Sequence, residues 1–281
     1  MPSPLVDVES WEPDTVVVGV TGPTATLATH GDVDLPLPFA SVTKPLTATA
    51  VLLAAQEGLL HLDEPAGPPE AHPGVTVRHL LAHASGLPPA RGGPVSLPER
   101  RRTYSDWGYE VLGELVAVRT GRPFADHLDL VVLRPLGMHA TQLVGPAGSG
   151  AVGTVHDLLR FARELLAPQL LDQALLDAAT RVAFPGLEGV LPGFGRHCPN
   201  DWGLGVERKG TKRPHWTGEL LSPQTFGHIG SSGAFLWVDP TLELACVELA
   251  DRPFGPWATE VWPGFSDAVV TAFAPDATSV A

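Results

Sequence analysis

The sequence predicts an α+β fold: an antiparallel sheet built from N- and C-terminal segments, flanked by helices, with an inserted, mostly helical lobe. Three observations lead there. β-rich stretches separated by turn signals occur at residues 15–30 and again over 202–250. Between them, apolar residues recur at helical spacing over about 107–119, 124–132, 154–167 and 169–180. A last helical pattern over 257–273 closes the chain. Strands at both ends around a helical middle imply one sheet shared by distant segments. We read residues 1–281 as one unit, with 1–40 plus 200–281 as the sheet lobe and 41–199 as the mainly helical lobe.

The elements follow in order. Residues 15–21 and 25–30 flank Gly22-Pro23 and predict a hairpin. Leu46, Ala50, Val51, Leu53 and Ala54 then lie at helical spacing, with Pro45 near the helix start and Gly58 as its stop. The stretch Val75 to Pro88 predicts a short helix ended by Gly86 and Pro88. Thr154 reads as the cap of the next long helical pattern. Residues 202–207, 225–238 and 242–250 read as strands.

Composition excludes several classes. With 44% apolar and 17% charged residues the chain is globular. Its net charge of −13 repels nucleic acid and anionic membranes, so neither is expected as a partner. No apolar run approaches a bilayer span. The start, Met1 to Asp7, has neither the basic region nor the apolar core of a signal peptide, so a cytoplasmic location is expected. Cys198 and Cys246 lack metal spacing and are read as free thiols. The basic run Arg100-Arg101-Arg102 reads as a solvated loop, with a role towards anionic substrates open because Tyr104 follows so closely.

The chemistry centres on Ser41-Val42-Thr43-Lys44. A serine and a lysine three apart on a helix share one face. Placed at or beside the helix start, Ser41 meets free N–H groups that favour developing negative charge. A partly desolvated lysine can take the serine proton. Three other patterns carry less. His79 and His83 have zinc-like spacing but lack the glutamate of the metalloprotease motif, and packing is the expected role. Gly148 to Gly153 resembles a dinucleotide fingerprint, but no second strand follows to hold a ribose acid. Gly230-Ser231-Ser232-Gly233 misses the hydrolase elbow by one place.

Two further motifs complete a series. Tyr104-Ser105-Asp106 precedes a helix, and Phe226 to Trp237 reads as a strand whose glycines allow close approach to its backbone. Ser41-x-x-Lys44, then Tyr104-x-Asp106, then His228-x-Gly230 resembles the ordered motifs of the serine β-lactamase and penicillin-binding protein superfamily. The likeness is greatest to the branch of class C β-lactamases, D,D-peptidases and family VIII carboxylesterases. It extends to Leu80 through Pro88 and to Leu133 through Met138, and it covers roughly residues 15–275.

The resemblance implies a role for each residue. Ser41 is the implied nucleophile of an acyl-enzyme, and Lys44 and Tyr104 are the implied proton-transfer pair, with the base left open between them. The backbone N–H groups of Ser41 and Ser231 would form an oxyanion hole. His228 would be a cationic or hydrogen-bonding group, and Gly230 would let the strand approach substrate. Asp106 stands where asparagine is usual, Ile229 where threonine or serine is usual, and His228 where lysine is usual. With the cytoplasmic expectation, these departures point away from β-lactams and peptidoglycan and towards small, less anionic acyl substrates. The expected function is therefore a carboxylesterase-like serine hydrolase needing no cofactor or metal. Its rivals are an amide-directed enzyme (β-lactamase, D-amino-acid peptidase or acyl transferase) and a non-catalytic binding protein. Trp107 and Trp202 are the tryptophans expected at the cleft, although core packing is the commoner role for either.

Overall fold

A computed structural model describes residues 3–274. Strands β1 (Val16–Thr21) and β2 (Thr26–His30) form the N-terminal hairpin, and the short β3 (Leu37–Pro38) leads into a 3₁₀ turn at Ala40–Val42. Helices α1 (Thr43–Gln56), α2 (Val77–Leu81), α3 (Asp106–Thr120) and α4 (Phe124–Leu128) follow, the last running into a π-helical turn at Asp129–Leu133. Next come β4 (Gln142–Leu143), β5 (Ala151–Gly153), α5 (Val155–Leu166) and α6 (Gln173–Thr180). A small hairpin, β6 (Gly189–Leu191) and β7 (Gly195–His197), precedes β8 (Glu207–Arg208), β9 (Phe226–Gly230), β10 (Ala234–Asp239), β11 (Leu244–Ala250) and α7 (Pro256–Phe273).

The main sheet runs β2-β1-β11-β10-β9-β8 and is antiparallel throughout. Its centre joins the two ends of the chain, with Val18 opposite Glu248 across β1 and β11. Because side chains alternate across a strand, each central strand serves two cores. Val17, Leu236, Val247 and Leu249 pack with α1 and α5, whereas Val18, Phe235, Trp237 and Cys246 pack with Trp257, Trp262 and Phe265 of α7. Cover on both faces explains why β10 and β11 are buried along their whole length.

Helix α1 is central. From Thr43 to Ala54 every residue is buried, so neighbours cover it on all sides. It stops after Gln56, and Gly58 follows at φ +74°. Thr154 caps α5 by accepting from the Asp157 N–H at 3.2 Å.

Several boundaries differ from the sequence reading. The β-rich run 225–238 is two strands, turned back at Gly233. The helical pattern over 169–180 starts at Gln173, because the Glu164 carboxylate accepts the N–H groups of Gln169, Leu170 and Leu171 and holds them in a turn. In the stretch 202–207 the strand, β8, starts only at Glu207, which also bridges to Trp202. Among the described residues no helix is long and apolar enough to cross a membrane.

Candidate active site

Ser41 lies in the 3₁₀ turn directly before α1, half-buried, and it lines a cleft between the α1 end and strand β9. The residue before it, Ala40, has φ +45°, which an alanine adopts only under strain. Strand β9 helps hold that turn. A Cβ built on Gly230 would come within 2.5 Å of the Phe39 carbonyl oxygen and 3.4 Å of the Ala40 Cβ. The close approach foreseen at Gly230 is therefore made to the backbone leading into Ser41.

Lys44, one turn on, is fully buried, and its Nζ donates to Ser41 Oγ at 3.1 Å and to the Gly148 carbonyl at 2.8 Å. A third contact, to Asp106 Oδ1, closes an ion pair. The ammonium also stands 4.6 Å from the centre of the Tyr104 ring. Burial lowers the Lys44 pKa to about 8, against the opposing pull of the Asp106 charge. Asp106 is the first residue of α3, whose N-cap Ser105 accepts from the Gly108 N–H at 3.0 Å.

Tyr104 donates its hydroxyl to Ser41 Oγ at 2.7 Å. Burial, reinforced by the Asp106 charge, pushes this phenol well above its usual range, so it is a neutral donor. Its ring packs, tilted by 33°, against that of His83 at 4.5 Å between centroids. His83 is fully buried, and its Nδ1 accepts the Ser105 backbone N–H at 3.1 Å, tying the wall behind Tyr104 to the start of α3. Burial, then the Lys44 charge, keeps that imidazole neutral.

His228 on β9 faces the same cleft, 5.9 Å from the Tyr104 ring and 5.4 Å from that of Trp202. Its Nδ1 lies 2.7 Å from the Ile229 carbonyl. Burial, and then the Lys44 charge, lowers its pKa to about 3. The cationic role that the sequence left open for His228 does not hold, because a buried imidazole beside an ammonium stays neutral. Ser231 opens the turn after β9 and lines the cleft across from Ser41, while its carbonyl accepts the Phe254 N–H at 3.1 Å. Leu191, Pro192, Trp216, Ile229 and Phe254 make the rest of the wall mostly apolar, and the cleft holds about 210 Å³.

The structure thus brings Ser41, Lys44, Tyr104, Asp106, His228, Gly230 and Ser231 to one place. Trp202 lines this cleft, but Trp107 is packed elsewhere, against the groove at Pro65 and Val111. Arg102 corrects the solvated-loop reading of the basic run. It is buried and donates to the carbonyls of Ala82 at 2.6 Å, Ala183 at 2.8 Å, Phe184 at 3.0 Å and Asn200 at 3.3 Å. His79 and His83 do not form a pair, since His79 contacts Glu99 at 2.9 Å instead. Sequence reasoning did not find the Gly148 carbonyl, Glu207 or Trp216, and only the glycine-rich run around Gly148 offered a signal. Among the described residues no cluster could hold a metal ion.

Comparison with known proteins identifies the family. The family model described as Beta-lactamase matches residues 15–264. The chain is 48% identical to a beta-lactamase of known structure from Mycobacterium bovis, with a TM-score of 0.94 over 97% of this chain and 100% of that one. The structure of EstCE1, a hydrolase with promiscuous acyltransferase activity, shares the fold with a TM-score of 0.78 at 16% identity, over 94% of this chain and 95% of that one. Among curated proteins, a penicillin-binding protein of Bacillus subtilis is 27% identical over 134 residues, covering 37% of this chain and 30% of its own. The chain spans about half the length, or less, of the first curated relatives it matches. The family model and the shared fold agree: the chain belongs to the beta-lactamase family of serine hydrolases.

Proposed function

We propose that this protein hydrolyses small, uncharged carboxylic esters through an acyl-enzyme on Ser41. The observation that carries the reading is Ser41 Oγ held 2.7 Å from the Tyr104 hydroxyl and 3.1 Å from Lys44 Nζ at an apolar cleft. Lys44, with a pKa near 8, supplies a neutral amine within reach of mildly alkaline pH, whereas the Tyr104 phenolate is scarce there. In this reading neutral Lys44 takes the Ser41 proton as Oγ attacks the ester carbon. The backbone N–H groups of Ser41 and Ser231 hold the oxyanion. Tyr104 protonates the departing alkoxide and is reprotonated by the Lys44 ammonium. Water then repeats the sequence to release the acid.

The substrate class rests on charge. Among the described residues no lysine or arginine lines the cleft, burial keeps His228 neutral, and Lys44 is engaged by Asp106. A β-lactam or a D-alanyl peptide brings a carboxylate, which would find no free cation among the described residues that line the cleft. We propose the cytoplasm as the compartment, with which the free Cys198 and Cys246 are compatible.

Acyl transfer is the second reading. An apolar cleft slows water entry to the acyl-enzyme, and a protein of the same fold, EstCE1, is described as a hydrolase with promiscuous acyltransferase activity. The test is turnover of p-nitrophenyl acetate and butyrate beside a chromogenic cephalosporin, for wild type and Ser41→Ala, with and without added 1-butanol. Ester turnover lost in the variant, with little cephalosporin cleavage, supports the esterase. Butyl ester among the products supports transfer. Fast cephalosporin cleavage overturns the charge argument, and equal rates for wild type and variant on every substrate overturn the hydrolase.

A further inference from the structure

A buried ionic network lies behind one wall of the cleft, outside the serine–lysine–tyrosine group. Glu207 on β8 is fully buried, and its carboxylate accepts from Lys212 Nζ at 2.5 Å, His215 Nε2 at 3.0 Å and Trp216 Nε1 at 3.1 Å. Lys212 and His215 hold this carboxyl well below its usual range, against the opposing effect of burial. Lys212 is tied onward to the Asp201 carbonyl at 2.8 Å, and His215 Nδ1 to Thr217 Oγ1 at 2.8 Å. No chemistry proposed for Ser41 uses these groups.

What the network fixes is an indole. Trp216 is 1% exposed, lines the cleft, and spends its one N–H on Glu207. Its ring contacts are with Phe235 and His215, in the core beneath α7, while Tyr104, Trp202 and His228 contact one another. The Trp216 wall therefore belongs to a different layer from the serine. A buried ion pair adds little net stability compared with apolar packing, but it holds a geometry.

We infer that Trp216, locked by Glu207, is the end wall of the acyl pocket and sets the longest acyl chain the cleft accepts. Glu207 is a positioning residue acting through the indole. This rests on the ester-hydrolase reading and adds the substrate range to it. An apolar pocket of fixed depth rejects each added methylene by refusing it volume, so the cut-off moves when the wall is cut back.

The experiment compares p-nitrophenyl butyrate and octanoate as kcat/KM for wild type, Trp216→Leu, Trp216→Phe and Glu207→Gln. Circular dichroism confirms that each variant is folded. Wild type is expected to prefer butyrate. Trp216→Leu is expected to raise the octanoate-to-butyrate ratio by about ten-fold or more. Trp216→Phe, which keeps most of the volume, is expected to move it less in the same direction. Glu207→Gln leaves one acceptor oxygen for the three donors Lys212, His215 and Trp216, loosens the indole, and is expected to raise the ratio less than Trp216→Leu does. A wild-type ratio in this folded variant overturns the positioning role of Glu207. A ratio unchanged in both tryptophan variants overturns the inference. Should wild type and Ser41→Ala hydrolyse alike, the hydrolase reading fails, and the wall is read by calorimetric binding of methyl butyrate and methyl octanoate to Ser41→Ala. There, tighter octanoate binding after adding Trp216→Leu supports the inference, and equal affinity overturns it.

Discussion

The Asp106 carboxylate is ion-paired to the Lys44 ammonium, and its charge pulls the lysine pKa in the opposite direction from burial. Burial favours the neutral amine that could accept the serine proton, while Asp106 favours the ammonium. The balance, about 8, places the active form on the alkaline side of neutral.

The first prediction is a pH profile. The neutral amine gains population as pH rises, so kcat/KM for p-nitrophenyl acetate should climb through about 8. Asp106→Asn removes the group that raises the lysine pKa. The rising limb should then move to lower pH by about one pH unit or more. A limb that stays put or moves upward contradicts Lys44 as the base.

Tyr104→Phe keeps the ring packed against His83 but removes the hydroxyl that donates to Ser41 Oγ. The expected result is a kcat loss of about 10²–10⁴-fold. Stability should change by only about 1 kcal/mol. Steady-state kinetics beside urea denaturation separates the two. A large loss of stability with activity retained in the folded fraction would assign Tyr104 to packing.

Most of the sheet and the site were legible because their signals are local or ordered. Alternating strands, the Gly22-Pro23 turn and the Ser41, Tyr104 and His228 motifs each lie within a few residues. What was missed depends on partners far along the chain. Nothing in Arg100-Arg101-Arg102 distinguishes the third arginine, yet four carbonyls from Ala82, Ala183, Phe184 and Asn200 converge on it. The charge state of His228 is likewise set by burial and by Lys44 rather than by its neighbours in sequence. The sequence reading places Glu207 only at the end of the strand 202–207, and its ionic role depends on Lys212 and Trp216 folding back onto it.

Arg102 therefore supplies a stability prediction. Arg102→Ala leaves those carbonyls without their donor, and burial limits replacement by water. A loss of about 3 kcal/mol is expected from the urea midpoint. A change close to zero would mean that the loop joining α2 to α3 carries no part of the fold's stability.

His228 supplies an acid-stability prediction with a defined sign. Its folded-state pKa of about 3 lies below the ordinary 6.5, so between those values the unfolded chain takes a proton that the folded chain refuses. Stability should fall as pH drops below about 6.5. His228→Gln removes that contribution, and its urea midpoint should fall less steeply with acid than the wild type's. Parallel curves would place a charged histidine in the folded protein.

Gly230→Ala tests how the strand holds the serine. The new Cβ meets the Phe39 carbonyl at 2.5 Å, so the Ala40–Ser41 turn must shift. A cost of about 1–3 kcal/mol is expected. The folded fraction should also show reduced kcat, because the displaced atoms carry Ser41. Unchanged kinetics and stability would show that β9 does not constrain the turn.

The most direct test of the central claim is mass spectrometry of the protein quenched in acid during turnover of p-nitrophenyl butyrate. The mechanism predicts one butyryl group on the peptide containing Ser41, accumulating in wild type and absent from Ser41→Ala. Butyrate release with no label on that peptide, or a label retained in Ser41→Ala, would contradict it.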